Sequence, residues 1–111
     1  MIESYDDLYE AVTSAIDSFK KKNESVEIIF GKNENGTCFI SNKQNGNKMV
    51  LMFARYGKEF KVGYAFYATD AYGGMSSGPA WVQDSFSHSF DEDFIHILIV
   101  DHLMKEYNSN W

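Results

Sequence analysis

Apolar and polar positions change period twice along the chain. From Tyr5 to Phe19, the large apolar residues Tyr5, Leu8, Tyr9, Val12, Ile16 and Phe19 recur at three- and four-residue steps, the spacing of one face of an α-helix. Ser4, with Asp7 three residues on, makes a capping-box-like start. Asp6, Asp7 and Glu10 suit the positive end of a helix dipole, and Lys20, Lys21 and Lys22 the negative end. From Val26 the period falls to two: Val26, Ile28 and Phe30 share one side of a short strand that stops at the turn-rich segment Gly31 to Gly36. Thr37 to Ser41 predicts a second strand, and the hairpin dipeptide Asn45-Gly46 leads into a third from Lys48 to Tyr56. Gly57-Lys58 fits a two-residue turn into a fourth strand, Glu59 to Ala68.

If Gly57-Lys58 is the whole turn, Phe53 pairs with Val62, Leu51 with Tyr64 and Met49 with Phe66, which puts the large apolar groups on one face. The other face then carries Val50, Met52, Ala54, Gly63 and Ala65, edged by Tyr56, Tyr67, Lys48 and Lys61. This is a shallow trough, open to a partner or covered by other parts of the chain. Residues 69 to 79 are rich in glycine and serine and hold the only proline, so they read as a loop. A short fifth strand is expected around Trp81 and Val82.

The period returns to helical near the end. Ser89 and Glu92 repeat the capping spacing, Asp91, Glu92 and Asp93 fill a first turn, and a helix is expected from about Phe90 to Tyr107. On its wheel Ile97, Val100, Leu103, Met104 and Tyr107 share one side, taken as the core side, whereas Ile95, Leu98 and Ile99 point away towards a second layer or a partner. The run Phe94 to Val100 is also rich in β-branched residues, so a strand competes; the cap and the later spacing favour the helix. Together the elements predict an α+β fold, an antiparallel four- or five-stranded meander sheet flanked by an N-terminal and a C-terminal helix, in a single domain spanning 1–111.

Composition narrows the class. The chain has 111 residues, 44% of them apolar and 16% aromatic, enough for one packed core and well outside the range of disordered chains. A single cysteine, Cys38, allows no internal disulfide and no cysteine-based zinc site, and its alternation with apolar residues marks it as a buried thiol. No basic leader followed by an apolar run opens the sequence, and no apolar run approaches the roughly 20 residues of a membrane span, so a cytoplasmic location is expected.

Net charge is −6, unevenly spread. Residues 1–19 carry five acids and no base, residues 20–61 nine bases and four acids, and residues 62–111 seven acids and one base. Acidic ends argue against nucleic acid as the partner, which needs a net basic face. Tyr64, Phe66 and Tyr67 beside Lys48 and Lys61 could stack bases, but cross-strand packing explains them as well.

Candidate chemistry is sparse. His88, His96 and His102 share no four-residue spacing, so no metal site or catalytic centre is predicted from them, and His96 reads as a hydrogen-bonded structural residue. No nucleophile elbow surrounds Ser85 or Ser87, and Asp91, Glu92 and Asp93 answer the helix dipole better than a cation. Neither a cofactor nor a catalytic residue is expected. The reading is a small acidic protein-binding module, an inhibitor or neutralising protein of immunity or phage type, occupying a basic surface on a macromolecular target. Asp91, Glu92 and Asp93 would steer it, and Phe94, Ile95, Leu98 and Ile99 would supply the apolar contact. The alternative is a small-ligand binder or minor enzyme with a site under the 69–79 loop, using Tyr72, Gly73, Gly74, Trp81 and His88. A third reading buries Ile95, Leu98 and Ile99 in a homodimer.

Overall fold

The computed structural model describes residues 2–67, 81–86 and 89–104. Helix α1 runs Tyr5–Lys22; five strands follow, β1 (Ile28–Lys32), β2 (Cys38–Asn42), β3 (Lys48–Tyr56), β4 (Glu59–Tyr67) and β5 (Trp81–Phe86), and then helix α2 (Glu92–Leu98). A π-helical turn, Ile99–Leu103, continues α2. Each strand pairs antiparallel with the next, in the order β1-β2-β3-β4-β5. The fold is therefore the expected α+β arrangement, a meander with a helix at each end. Among the described residues, no helix is long and apolar enough to cross a membrane.

Local chemistry accounts for most of this. The Ser4 hydroxyl accepts the Asp7 amide at 3.2 Å and caps α1, whose Leu8, Val12, Ala15, Ile16 and Phe19 are buried. Tyr56 pairs with Glu59, so Gly57-Lys58 is the entire β3–β4 turn, and Gly57 takes φ +64 while no non-glycine residue among those described has positive φ. That is the type II′ pattern, with glycine first, whose twist matches the flanking strands. The β3–β4 register is the expected one, Met49 with Phe66, Leu51 with Tyr64 and Phe53 with Val62.

β1 lies two residues later than the sequence reading placed it. Asn33 donates to the Thr37 carbonyl at 2.8 Å and Gly36 to Asn33 at 3.1 Å, so the turn contracts to 33–36 and Gly31-Lys32 joins the strand. Ile28, Cys38, Ile40, Met49, Leu51, Val62, Tyr64 and Phe66 form the inner row of the sheet and meet the buried faces of both helices in one core. At the start of α1 the packing is aromatic. Tyr5 lies edge-on to Phe53 at 5.7 Å, Tyr9 edge-on to Phe30 at 6.2 Å, and the Tyr9 hydroxyl donates to the Gly36 carbonyl.

The C-terminal helix departs most from expectation. Its N-cap is Asp91, whose carboxylate accepts the Phe94 amide at 2.9 Å, so the start falls later than Ser89. Ile95, Leu98, Ile99 and Leu103 are all buried, while Ile97, Val100 and Met104 are 55%, 47% and 36% exposed. Of the expected core side, Ile97, Val100 and Met104 therefore face outward, Leu103 is buried, and Tyr107 lies outside the described residues. Leu103 crosses to the buried side because Met104 donates to the Ile99 carbonyl at 3.2 Å, five residues back. A π turn advances each residue by less than the about 100° of an α-helix, and this brings Leu103 back under Ile99.

Candidate protein-interaction surface

Asparagine clusters in the β2–β3 hairpin read, on the sequence, as turn chemistry; they also close the C-terminal helix. The amides of Asn42 and Asn45 donate to the Leu103 carbonyl at 3.0 and 2.8 Å, and Asn47 donates to the His102 carbonyl at 3.4 Å. Helix ends leave their last carbonyls without helical partners, and here side chains some 60 residues away in sequence supply them. Asn42 and Asn47 are 2% and 3% exposed, so this polar knot lies inside the molecule. It explains a buried polar cluster structurally and orients the second helix against the sheet.

The remaining expected sites separate clearly. Asp91, Glu92 and Asp93 are exposed at the start of α2. Phe94 is half-buried against Tyr64 and Phe90, with ring centroids 6.1 and 5.2 Å away. Ile95, Leu98 and Ile99 are core residues, 0%, 5% and 0% exposed, which corrects their assignment to a partner contact or a dimer seam: a side chain enclosed by its own fold has no surface to offer. Of the loop residues, Tyr72, Gly73, Gly74 and His88 lie outside the described residues, and Trp81 opens β5 opposite Phe66.

His96 and His102 have packing roles. His96 lies edge-on to Phe19 at 5.8 Å, and His102 stacks on Phe66 with ring centroids 3.9 Å apart. Among the described residues, no group of three His, Cys, Asp or Glu is placed to hold a metal ion. Cys38 is fully buried, and burial pushes its thiol up to about 12 against the opposing pull of Lys32, so it is held as a thiol rather than a thiolate nucleophile.

Among the described residues, two surfaces carry exposed apolar groups. On the sheet face opposite the helices, Met52 is 47% and Ile29 44% exposed. There the Phe39 ring lies across Gly31 so closely that a Cβ would have to displace it, and Lys48 Nζ sits 4.7 Å over that ring. On the solvent side of α2 and its π turn, Ile97, Val100 and Met104 follow one another at helical steps, with Asp93 one turn before Ile97 and Asp101 beside Val100, both exposed. Sequence reasoning grouped these three apolar residues correctly but turned them inward. Asp93 carried the missing signal, because a carboxylate one turn from Ile97 on the same side marks that side as solvated.

Fold and surface together define a small α+β module, with two helices over one face of an antiparallel meander and an acidic, partly apolar helix face turned outward. Comparison with known proteins returns no match to any family model, curated protein or solved structure.

Proposed function

We propose that this protein is a small acidic binding module that acts as an inhibitor or neutralising protein by covering a basic surface on a macromolecular target. One observation carries the reading: Ile97, Val100 and Met104 stay exposed on a helix face that also bears Asp93 and Asp101. Single exposed apolar residues are ordinary, but three at helical spacing beneath the acidic first turn Asp91, Glu92 and Asp93 have the make-up of a binding face, an apolar centre with a charged rim. A helix laid along a groove reads its target through such a face. The net charge of −6 steers the approach to a basic partner, and the apolar residues then hold the complex once water is displaced.

The test is affinity capture from host lysate at low and moderate salt, followed by rate measurements on the retained protein. Ile97→Glu and Asp93→Lys serve as comparison baits because both sites are exposed and the substitutions leave the core intact. A single target, lost with Ile97→Glu and captured faster as salt is lowered, supports the reading. A target bound equally by all three proteins would refute the α2 face as the contact.

A further inference from the structure

β1 is an end strand of the sheet, and among the described residues no strand pairs with its outer edge. The Glu27 carbonyl accepts from Lys43 at 3.0 Å and the Asn33 amide donates to Thr37 at 2.8 Å, so odd-numbered residues turn their backbone groups to β2. By the alternation of an antiparallel pair, Ile28, Phe30 and Lys32 then present their N–H and C=O groups to the open edge. Natural edges are blunted by proline, by bulges or by inward charge. The sequence Ile-Ile-Phe-Gly-Lys of β1 has no proline, and its one charge, Lys32, stands at the strand's last position with its ammonium 4.4 Å over the Tyr9 ring, which leaves residues 28–30 without one. Alongside runs an open groove of about 460 Å³ lined by Lys20, Glu24, Val26, Glu27, Ile28 and Ile29.

We infer that this edge pairs with β1 of a second copy of the chain, antiparallel about a two-fold axis at Ile29, joining two five-stranded sheets into one. The strand is complementary to itself in this register. Ile28 meets Phe30 of the other copy twice at hydrogen-bonded positions, inner faces stay on one side, and the exposed Ile29 side chains meet at the closer, non-hydrogen-bonded position. Charge permits the same place. Two copies of a −6 molecule repel through their acidic helices, but Lys20, Lys32, Glu24 and Glu27 around this edge balance, so two such edges meet without net repulsion. The edge is separate from the α2 face proposed for the target.

Sedimentation equilibrium of the full chain tests it, with oxidative cross-linking as a second readout. Wild type is expected to sediment as a dimer. Ile29→Lys, which sets two ammonium groups against each other across the axis, should weaken the dimer at least about tenfold with an unchanged circular dichroism spectrum. Ile29→Cys should form a disulfide-linked dimer under mild oxidation, since opposed non-hydrogen-bonded positions lie about 4.5 Å apart at Cα, within disulfide reach. Met52→Cys, on a central strand at similar exposure, should not. Ile97→Glu should leave the dimer mass unchanged, which separates this edge from the α2 contact. A wild type monomeric throughout, or a dimer that resists Ile29→Lys and gives no cross-link with Ile29→Cys, overturns the inference.

Discussion

Single residues hold this fold at places where backbone geometry or a buried polar group leaves little choice. Gly57 has open space around the position a Cβ would take, so its requirement is conformational: φ +64 at the first position of a type II′ turn strains any other residue. Gly57→Val should cost about 1–3 kcal/mol, read as a lower urea midpoint with an unchanged slope. Asn42 answers to partners instead. Its amide serves the Leu103 carbonyl while its carbonyl oxygen accepts the Gln44 amide at 3.0 Å. Asn42→Ala removes both bonds; Asn45 still serves the Leu103 carbonyl and Gln44 is exposed, so the loss should be about 0.5–1.5 kcal/mol by the same measurement. Cys38 sets a pH dependence. Because burial raises its pKa, the stability it contributes is complete below the unfolded value of about 8.5 and fades as pH rises from there through about 12. Cys38→Ala should flatten the loss of stability between pH 8 and 11; parallel curves for the two proteins would assign that loss to other groups.

At the scale of elements, α2 shows how little a short helix can do alone. Its seven residues fall below the length at which a helix holds in water, so its stability comes from burying Ile95, Leu98 and Ile99, worth about 2 kcal/mol each, and from the asparagines at its far end. The assignment of faces has a direct consequence. Leu98→Ala should cost about 2–5 kcal/mol, whereas Ile97→Ala should stay within about 0.5 kcal/mol, in paired chemical denaturations. Equal effects would mean that the helix is rotated from the position described. β1 sits at the opposite extreme: it is formed by its pairing with β2, and among the described residues no strand pairs with its other row of backbone groups.

For the whole molecule, charge and layering act together. The helices cover one face of the sheet and bring acidic residues outward, while the basic middle of the sequence lies mostly in the meander and its turns. Salt should therefore separate the two proposed contacts. Raising ionic strength from about 50 mM to about 500 mM should slow capture of a basic target through screening. The same change should leave a β1–β1 dimer intact or tighten it slightly, because there backbone hydrogen bonds and apolar contacts dominate. Sedimentation and association rates measured over that range check both expectations.

Periodicity alone determined the first helix, the meander and the β3–β4 register, because alternation, hairpin glycines and caps are local devices that act over a few residues. It also found the C-terminal helix and grouped Ile97, Val100 and Met104 on one side. Which side faces the core was decided only by tertiary structure, since Ile95, Leu98 and Ile99 form an equally apolar stripe and a π turn shifts Leu103 onto it. The role of the hairpin asparagines was likewise invisible, because their partners are carbonyls of His102 and Leu103 that only the closed chain brings near. Local period names the elements; which stripe is buried, and which polar groups find one another, depends on contacts between residues far apart in sequence.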